Sequence, residues 1–245
     1  MTKKSEIYGI RSVIEAIKSS NDIDKVFIQK GLKGNLIGQL ESLIRKNKIN
    51  FSYVPVEKLN RLSKKNHQGV IARISPVKFY DLKEIDNFLS NSENPFFLIL
   101  DQINDVRNFG AIIRTAEISG VNGIIISNNS TAPVNADTIK TSAGAIFNIP
   151  IFKVNHIKDA IYSLQSHNVL VVSASEKASQ NIYSINLKKG VALVMGSEYK
   201  GINKSVINIS DHVVKLPMYG KIESLNVSVA CGIFLYEVVR QRMNL

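Results

Sequence analysis

Short apolar segments and helical segments alternate along the chain from residue 97 onward. Apolar runs typical of strands lie at residues 97–100, 123–127, 149–153, 169–174, 191–195 and 213–216. Helical patterns lie at residues 108–119, 137–143 and 157–166. Short apolar strands separated by helices are typical of a mainly parallel sheet that helices cover on both faces. This alternation predicts an α/β fold for the larger part of the chain.

Polar residues lie where several of these segments meet. One strand ends at Asp101 and is followed by a polar loop that leads into a helix, and another ends at Gly196. In a third segment, a Pro/Gly turn at residues 217–220 leads to the polar stretch 224–226 and then to an apolar helix. Ligands of open α/β sheets lie beyond the carboxyl ends of the strands, so these loops predict a shared site. The polar residues of these segments include Asn108, Arg114, Glu198, Ser224 and Asn226.

Each of these residues also has a structural explanation. The amide and hydroxyl side chains can cap the helices that follow them. Arg114 can pair with Glu117 at i, i+3, and Glu198 can pair with Lys200. For each residue alone the two explanations are about equally good, but the three segments together favour a functional site.

The last helical segment, residues 227–239, is apolar around its whole circumference. A helix that faces water on one side shows a polar stripe, which is missing here. The pattern predicts a helix that is buried, either within the chain or against another subunit.

Three motifs follow one another along the sequence. The first is Asn108-x-Gly110-x₃-Arg114, and the second is Gly-Ser-Glu-x₂-Gly at residues 196–201. The third is Leu-Pro-Met at 216–218 followed by Ser-Leu-Asn-Val-Ser-Val-Ala at 224–230. In order and spacing they resemble the signature motifs of the SpoU/TrmH family of RNA ribose 2'-O-methyltransferases. Each motif alone is weak evidence, but three in the right strand and helix contexts are strong evidence. The resemblance covers residues 95–243.

The resemblance implies a knotted catalytic domain of the SPOUT type, in which a deep trefoil knot binds S-adenosylmethionine, and a homodimer with the C-terminal helix at its interface. It implies that backbone groups at Gly196, Leu216 and Leu225 meet the cofactor. Ala174, Met195 and Met218 are then expected as its apolar lining. No metal is expected, because His67, His156, His167 and His212 are scattered and Cys231 lies in the apolar helix.

Arg114 occupies the family position that is assigned to activating the ribose hydroxyl. A guanidinium gives up its proton too reluctantly to be a good base. We therefore expect Arg114 to hold a phosphate and to stabilise the developing alkoxide. Asn108 and Glu198 are expected to orient Arg114 or the ribose, with Ser224 and Asn226 beside the reacting nucleotide.

Two positions depart from the family pattern. Val106 replaces a common proline, which should matter little. Tyr199 replaces the glycine that commonly follows the motif glutamate, and its ring could reshape the loop or stack on a nucleotide.

Positive charge is concentrated in the first third of the chain. Residues 1–76 carry 15 Lys/Arg against 6 Asp/Glu, a net charge of +9, whereas residues 77–245 carry 16 against 14, a net charge of +2. The pattern predicts an RNA-binding domain at 1–76, a linker at 77–94 with a helical part near 81–89, and a catalytic domain at 95–245.

The first domain has the pattern of a small α/β unit, with helices near 12–19 and 36–46 and strands at 25–29, 49–54 and 70–74. It is similar to the substrate-binding domain of several family members, which resembles ribosomal proteins of the L30/L7Ae type. Its candidate RNA-binding loop consists of Lys64, Lys65, Asn66, His67 and Gln68, although such a charged run is often a solvated turn.

Several other functions are excluded. The Gly-Ser-Glu loop lacks the Lys-Ser/Thr of a P-loop and the glycine spacing of a dinucleotide-binding fingerprint. Nucleotide triphosphatase and dehydrogenase functions are therefore excluded.

No apolar run is long enough to span a membrane, and the start lacks the apolar core of a signal peptide, so we expect a cytoplasmic protein. Neither a membrane nor DNA is expected as a partner.

Within the family, the chain is most similar to bacterial enzymes that methylate a guanosine ribose in the peptidyl-transferase region of 23S rRNA. A tRNA-directed or antibiotic-resistance relative is the alternative within the family. A non-catalytic RNA-binding factor of ribosome assembly is the alternative from another class, and the five retained polar residues argue against it.

Overall fold

The computed structural model describes residues 6–18, 23–75, 77–90, 92–128, 131–222 and 224–243. The chain divides into two compact units. The first contains the residues up to Lys78 together with Val134–Ala136, and the second contains Phe79–Pro133 and the residues from Asp137 onward. The division after Lys78 falls inside the segment 77–94 that the sequence predicts as a linker.

The first unit is a four-stranded sheet with helices on both faces. Its elements are β1 (Glu6–Tyr8), α1 (Ile10–Lys18), β2 (Ile23–Gln29), α2 (Asn35–Lys46), β3 (Phe51–Val54), α3 (Val56–Leu62) and β4 (Val70–Ile74). The strand order is β1-β4-β2-β3, with β2 and β3 parallel and the other pairs antiparallel. The short elements β1 and α3 are absent from the sequence prediction, because three to seven residues carry too little periodicity to be recognised.

Strand alternation gives this sheet two different faces. The helices α1 and α2 bury one face with Val13, Leu40 and Ile44, which contact Val26 and Val70 of the strands. The other face buries Phe27 and Ile71 against Leu59 of α3. Successive residues of β2 and β4 therefore belong to different cores.

The second unit is an eight-stranded sheet in which every strand pair is parallel. Its elements are β5 (Phe79–Tyr80), α4 (Ile85–Leu89), β6 (Phe96–Asp101), α5 (Val106–Ile118), β7 (Gly123–Ser127), α6 (Ala136–Thr141), β8 (Ile151–Val154), α7 (Ile157–Ser166), β9 (Leu170–Ala174), β10 (Gln180–Asn181), β11 (Val191–Gly196), α8 (Lys204–Ile207), β12 (His212–Lys215) and α9 (Val227–Arg242). The strand order is β10-β12-β9-β11-β6-β7-β8-β5. The predicted α/β fold with a parallel sheet is confirmed.

The central strands β6, β7 and β11 are buried along their whole length, as their apolar sequences predict. Although β11 comes late in the chain, it lies between β6 and β9. Its last residue, Gly196, pairs in register with Asp101, the last residue of β6. The loops after these two strands therefore start side by side.

The segment just after the first unit packs on the second sheet. Phe79 and Tyr80 form β5, which pairs with β8. Asp81 caps a short 3-10 helix that leads into α4, and Ile85 and Leu89 of α4 are buried in the core of the second unit. Residues 79–89 therefore belong structurally to this unit, although the predicted linker included them.

The C-terminal helix α9 packs beside α5, with Gly232 facing Thr115. One side of α9 is buried through residues that include Cys231, Phe234, Leu235 and Val238. The opposite side exposes Val229, Ile233 and Tyr236. Within one chain the helix is thus buried on one side only, which leaves an apolar stripe at the surface.

Candidate active site

Three polar side chains from three separate motifs meet in one hydrogen-bonded group. The Glu198 carboxylate follows β11, and its Oε1 accepts hydrogen bonds from Asn108 Nδ2 (2.7 Å) and Asn226 Nδ2 (2.9 Å). Asn226 Nδ2 also lies 3.1 Å from Asn108 Oδ1. We call these three residues the amide–carboxylate cluster. The fold brings them together over sequence separations of 28 to 118 residues.

Local structure explains how the two amides are placed. Asp105, and not Asn108, caps α5, because its carboxylate accepts from the backbone N–H groups of Arg107 and Asn108. The side chain of Asn108 is therefore available to Glu198. Asn226 does cap α9, since its Oδ1 accepts from the backbone N–H and the hydroxyl of Ser228. Its Nδ2 donates to the cluster at the same time, so the capping role and the site role coexist.

The loop that carries Glu198 is held in a tight turn. The backbone N–H of Gly201 donates to the Ser197 carbonyl at 2.8 Å, and Gly201 has a φ of +65°, which favours glycine. Buried Asp101 accepts from the backbone N–H of Asn203 at 2.7 Å and so ties this loop to the end of β6. A Cβ on Gly196 would overlap backbone atoms of Gly201 and Ile202. The motif glycines and Asp101 therefore shape the loop that presents Glu198.

A cavity of about 350 Å³ opens beside the amide–carboxylate cluster. It is lined by all six residues that the resemblance assigns to the cofactor, namely Ala174, Met195, Gly196, Leu216, Met218 and Leu225. Glu198, Ser224 and Asn226 line it as well. Its volume and its mixture of apolar walls with a few polar groups are typical of a site for a small organic molecule.

Sequence reasoning missed other residues of this cavity. Ser175 and Glu176 directly follow β9, the neighbour of β11, so the rule that ligands lie beyond strand ends could have found them. Ala230 and Phe234 of α9 also line the cavity. Their apolar character gave no signal that distinguished them from the core residues of the same helix.

A second, smaller cavity of about 160 Å³ is lined by Asn108 and Glu198, and Glu198 also lines the first. Its remaining lining comes mainly from the two loops after β6 and β11, including Gln102, Asn104 and Tyr199. The ring of Tyr199 is 97% exposed. The amide–carboxylate cluster thus lies between a larger cavity and a smaller one with an exposed aromatic ring at its edge.

Arg114 lies apart from this cluster. It is exposed on α5 and lines neither of the two cavities. Six residues separate it from Asn108, a rotation of about 240° around the helix axis, so the two side chains leave α5 in different directions. Within the described residues, the fold therefore brings together Asn108, Glu198, Ser224 and Asn226. Arg114 is the exception among the five polar residues predicted for the site.

The predicted RNA-binding loop contains one buried residue. His67 is buried, with Nε2 2.9 Å from Asn60 Oδ1 and with Nδ1 accepting from the backbone N–H of Gly69 at 3.0 Å. Both ring nitrogens are therefore engaged in holding the loop. Lys64, Lys65, Asn66 and Gln68 are exposed.

The described ranges contain neither a metal-binding group of side chains nor a membrane-spanning helix. Within these ranges, no group of three or more His, Cys, Asp or Glu side chains has an arrangement that could hold a metal ion. The described helices also include none with the length and apolar character that a membrane crossing requires.

Two family models match the chain. The model of the SpoU rRNA methylase family matches residues 95–236, and the model named RNA 2'-O ribose methyltransferase substrate binding matches residues 7–80. The two matched segments correspond to the larger parts of the two structural units.

Individual proteins are similar over nearly the whole chain. YacO of Bacillus subtilis, named as a TrmH family tRNA/rRNA methyltransferase, is 34% identical over 96% of this chain and 95% of its own length. The 23S rRNA (guanosine-2'-O-)-methyltransferase RlmB of Pasteurella multocida is 33% identical over 97% of this chain and 98% of its own length. The AdoMet-bound rRNA methyltransferase structure from Sinorhizobium meliloti is 26% identical, with a TM-score of 0.63 over 98% of this chain and 88% of that one.

Proposed function

Because the chain belongs to the SpoU rRNA methylase family, we propose that it transfers a methyl group from S-adenosylmethionine to a ribose 2'-hydroxyl of RNA. The observation that most strongly supports this activity is the amide–carboxylate cluster at the edge of the larger cavity. The proposed substrate is a guanosine of 23S rRNA, because relatives that act there match both units of the chain. We propose the cytoplasm as its compartment, because a bacterial rRNA substrate lies there.

The larger cavity suits S-adenosylmethionine. Apolar residues such as Met195 and Leu216 can cover the adenine, and polar groups such as Ser224 can meet the ribose and amino-acid end. The absence of a Cβ at Gly196 allows the Gly201–Ile202 backbone to close the end of the cavity. When bound, the cofactor supplies an electrophilic methyl group on its sulfonium. We propose that the knot implied by the family resemblance holds these loops together.

The amide–carboxylate cluster positions the ribose. Both amide hydrogen bonds go to Oε1 of Glu198, and within the described residues no group donates to Oε2. Oε2 is therefore available to accept from a ribose hydroxyl. Holding the two reacting groups in line can contribute up to about 7–11 kcal/mol to lowering the barrier. Asn108 and Asn226 act in this scheme by fixing the carboxylate.

The smaller cavity is the proposed seat of the target nucleotide. It is lined by the same carboxylate as the larger cavity, so the ribose of a nucleotide bound there can contact Glu198. The exposed ring of Tyr199 is placed to stack on a base. Such stacking tolerates different bases and contributes about 1–3 kcal/mol per base.

We propose that Arg114 acts in a homodimer. The exposed stripe of Val229, Ile233 and Tyr236 on α9 lies on a helix that packs beside α5, the helix of Arg114. A second copy that covers the stripe would remove apolar surface from water. It would also bring Arg114 of one copy toward the cavities of the other. There the guanidinium can hold a phosphate and stabilise the alkoxide as the 2'-hydroxyl loses its proton.

The test is transfer of radiolabelled methyl from S-adenosylmethionine to unmodified 23S rRNA and, separately, to tRNA. The Arg114→Ala variant is compared with Lys158→Ala, which removes one positive charge from an exposed position on α7. We expect label at one ribose of rRNA with the wild type and with Lys158→Ala. Arg114→Ala should transfer no label and still bind the cofactor in calorimetry.

Each other outcome changes a different part of the proposal. Label in tRNA alone would replace the substrate, in keeping with the tRNA/rRNA name of the Bacillus subtilis relative. Cofactor binding without transfer to any RNA would contradict the enzymatic proposal. Loss of cofactor binding in Arg114→Ala would mean that this residue supports the fold.

A further inference from the structure

The face of the first sheet that α3 packs against carries an unusual set of charges. Strand register lines up two rows of side chains on this face: Tyr8, Ile71 and Phe27 in one row, and Glu6, Arg73 and Lys25 in the next. Leu59 of α3 packs beside Phe27 and Ile71 in the buried part of the face. The row of Arg73 and Lys25 is only half-buried. The structure therefore leaves a charged row next to an aromatic one.

Four cations gather over the two aromatic rings of this face. Lys25 Nζ, Lys58 Nζ and Arg73 Cζ lie 5.6, 5.9 and 5.5 Å from the centroid of the Phe27 ring. Lys65 Nζ lies 5.1 Å from the centroid of the Tyr8 ring. Cation–π attraction holds charges over such rings. We call Lys25, Lys58, Lys65 and Arg73 the basic face.

The positive charge of the basic face exceeds the negative charge beside it: four cations stand against the single carboxylate of Glu6 in the two rows of side chains. Arg73 and Lys25 are direct partners in an antiparallel pair, a position at which like charges destabilise a sheet. None of the four cations forms an ion pair with a described residue. Glu6 is the partner of Arg73 on the other side, in the register of β1 and β4, and it accepts a hydrogen bond from the Tyr8 hydroxyl at 3.1 Å.

Arg73 also has an unused donor. Its Nε is buried and makes no hydrogen bond to a described residue. This nitrogen is closed off from solvent, so an anion at the surface would meet the rest of the guanidinium and not Nε. Such an anion would offset the repulsion between Arg73 and Lys25.

We propose that the basic face binds backbone phosphates of the RNA substrate. A guanidinium matches the oxygens of a phosphate, and the neighbouring lysines supply point charges on both sides of it. The cations extend over two rows of the sheet, which suits a chain of phosphates better than one small anion. This inference rests on the proposed function, and it locates the RNA contact on a sheet face. The predicted loop at residues 64–68 contributes Lys65 to this face.

The test compares two double variants of the full-length protein. Lys25→Gln/Arg73→Gln removes two charges from the basic face. Arg45→Gln/Lys46→Gln removes the same two residue types from the exposed end of α2, which packs on the opposite face of the sheet. RNA affinity is measured between 50 and 200 mM salt for an rRNA fragment, and methyl transfer is measured at saturating RNA.

We expect the basic-face variant to bind RNA roughly tenfold to a hundredfold more weakly than the control variant. The slope of log K against log salt should fall by about 1.4–1.8, because two phosphate contacts are lost. The rate at saturating RNA should match that of the control variant. Thermal unfolding separates this result from misfolding, since removing the repelling pair should not lower Tm below that of the control.

Equal RNA affinity and equal salt slopes for the two double variants would overturn the proposal. If inorganic phosphate then binds the wild type but not the basic-face variant at matched ionic strength, the face is a site for small anions and not for RNA. A lower Tm together with weaker RNA binding would also overturn it, because the cations would then be structural. A wild type that binds RNA through this face but transfers no methyl would contradict the proposed function and leave this inference standing.

Discussion

Asn226 performs two tasks that substitutions can separate. Its Oδ1 caps α9, while its Nδ2 donates to Glu198 and Asn108. Asn226→Ser keeps an oxygen that can cap the helix but removes the donor. Asn226→Asp also keeps a capping oxygen and places a second carboxylate beside Glu198. Asn226→Ala removes both the cap and the donor.

The structure gives each variant a different expected stability. Losing the cap costs about 0.5–2 kcal/mol. Losing the donor costs about 0.5–1.5 kcal/mol, toward the lower end because Asn226 and Glu198 are exposed. We therefore expect Asn226→Ala to be less stable than Asn226→Ser by about 1 kcal/mol.

Asn226→Asp adds a charge effect to the lost donor. Two carboxylates about 4 Å apart repel by about 1 kcal/mol in water. This repulsion raises the pKa of the carboxyl pair in the folded variant above its unfolded value. The penalty is therefore present at pH 7 and is relieved as the pH falls through the raised pKa.

All three variants should lose methyl transfer, because Glu198 keeps only one of the two amide donors that fix it. The measurements are urea unfolding at pH 7 and pH 4.5, cofactor affinity by calorimetry, and single-turnover methyl transfer. Wild-type activity in Asn226→Ser would refute the role of the amide–carboxylate cluster. Equal stability of Asn226→Ser and Asn226→Ala would refute the capping argument.

Three further predictions concern the second unit. Gly196→Ala should lose cofactor binding and about 1–3 kcal/mol of stability, because its Cβ would overlap the backbone of Gly201 and Ile202. Gly220→Ala is the control, because Gly220 has open space around it, and it should change neither cofactor binding nor stability. The Arg240 guanidinium lowers the pKa of buried Glu237 below its usual 4.5. The wild type should therefore be more stable than Glu237→Gln by a constant amount at neutral pH, and this difference should shrink as the pH falls below 4.5. A pH-independent difference between the two proteins in urea unfolding would contradict this reasoning. Burial raises the pKa of Cys231 to about 12, so a thiol reagent at pH 8 should label the unfolded protein and not the native one.

The parallel α/β sheet and the three motifs could be predicted from the sequence because their signals are local. Apolar runs such as those of β6 and β11 reveal buried strands, and a polar loop beyond a strand end indicates a ligand site. These signals and the family resemblance of the motifs predicted Asn108, Glu198, Ser224 and Asn226 as parts of one site, and the structure brings the four residues close together. The signals could not show that Asp105 caps α5 or that His67 is buried, because both depend on which neighbour receives a hydrogen bond.

Only the tertiary structure decided how distant segments meet. The insertion of β11 beside β6 brings Glu198 to Asn108, and the antiparallel register of β2 and β4 brings Lys25 opposite Arg73. The tertiary structure also showed that Arg114 lines neither of the two cavities of its own chain, although the sequence motif contains both Arg114 and Asn108. The physical reason is that helix and strand periodicity set the direction of each side chain locally. Its partners, in contrast, are set by sheet order and register, which form through contacts between residues far apart in the sequence.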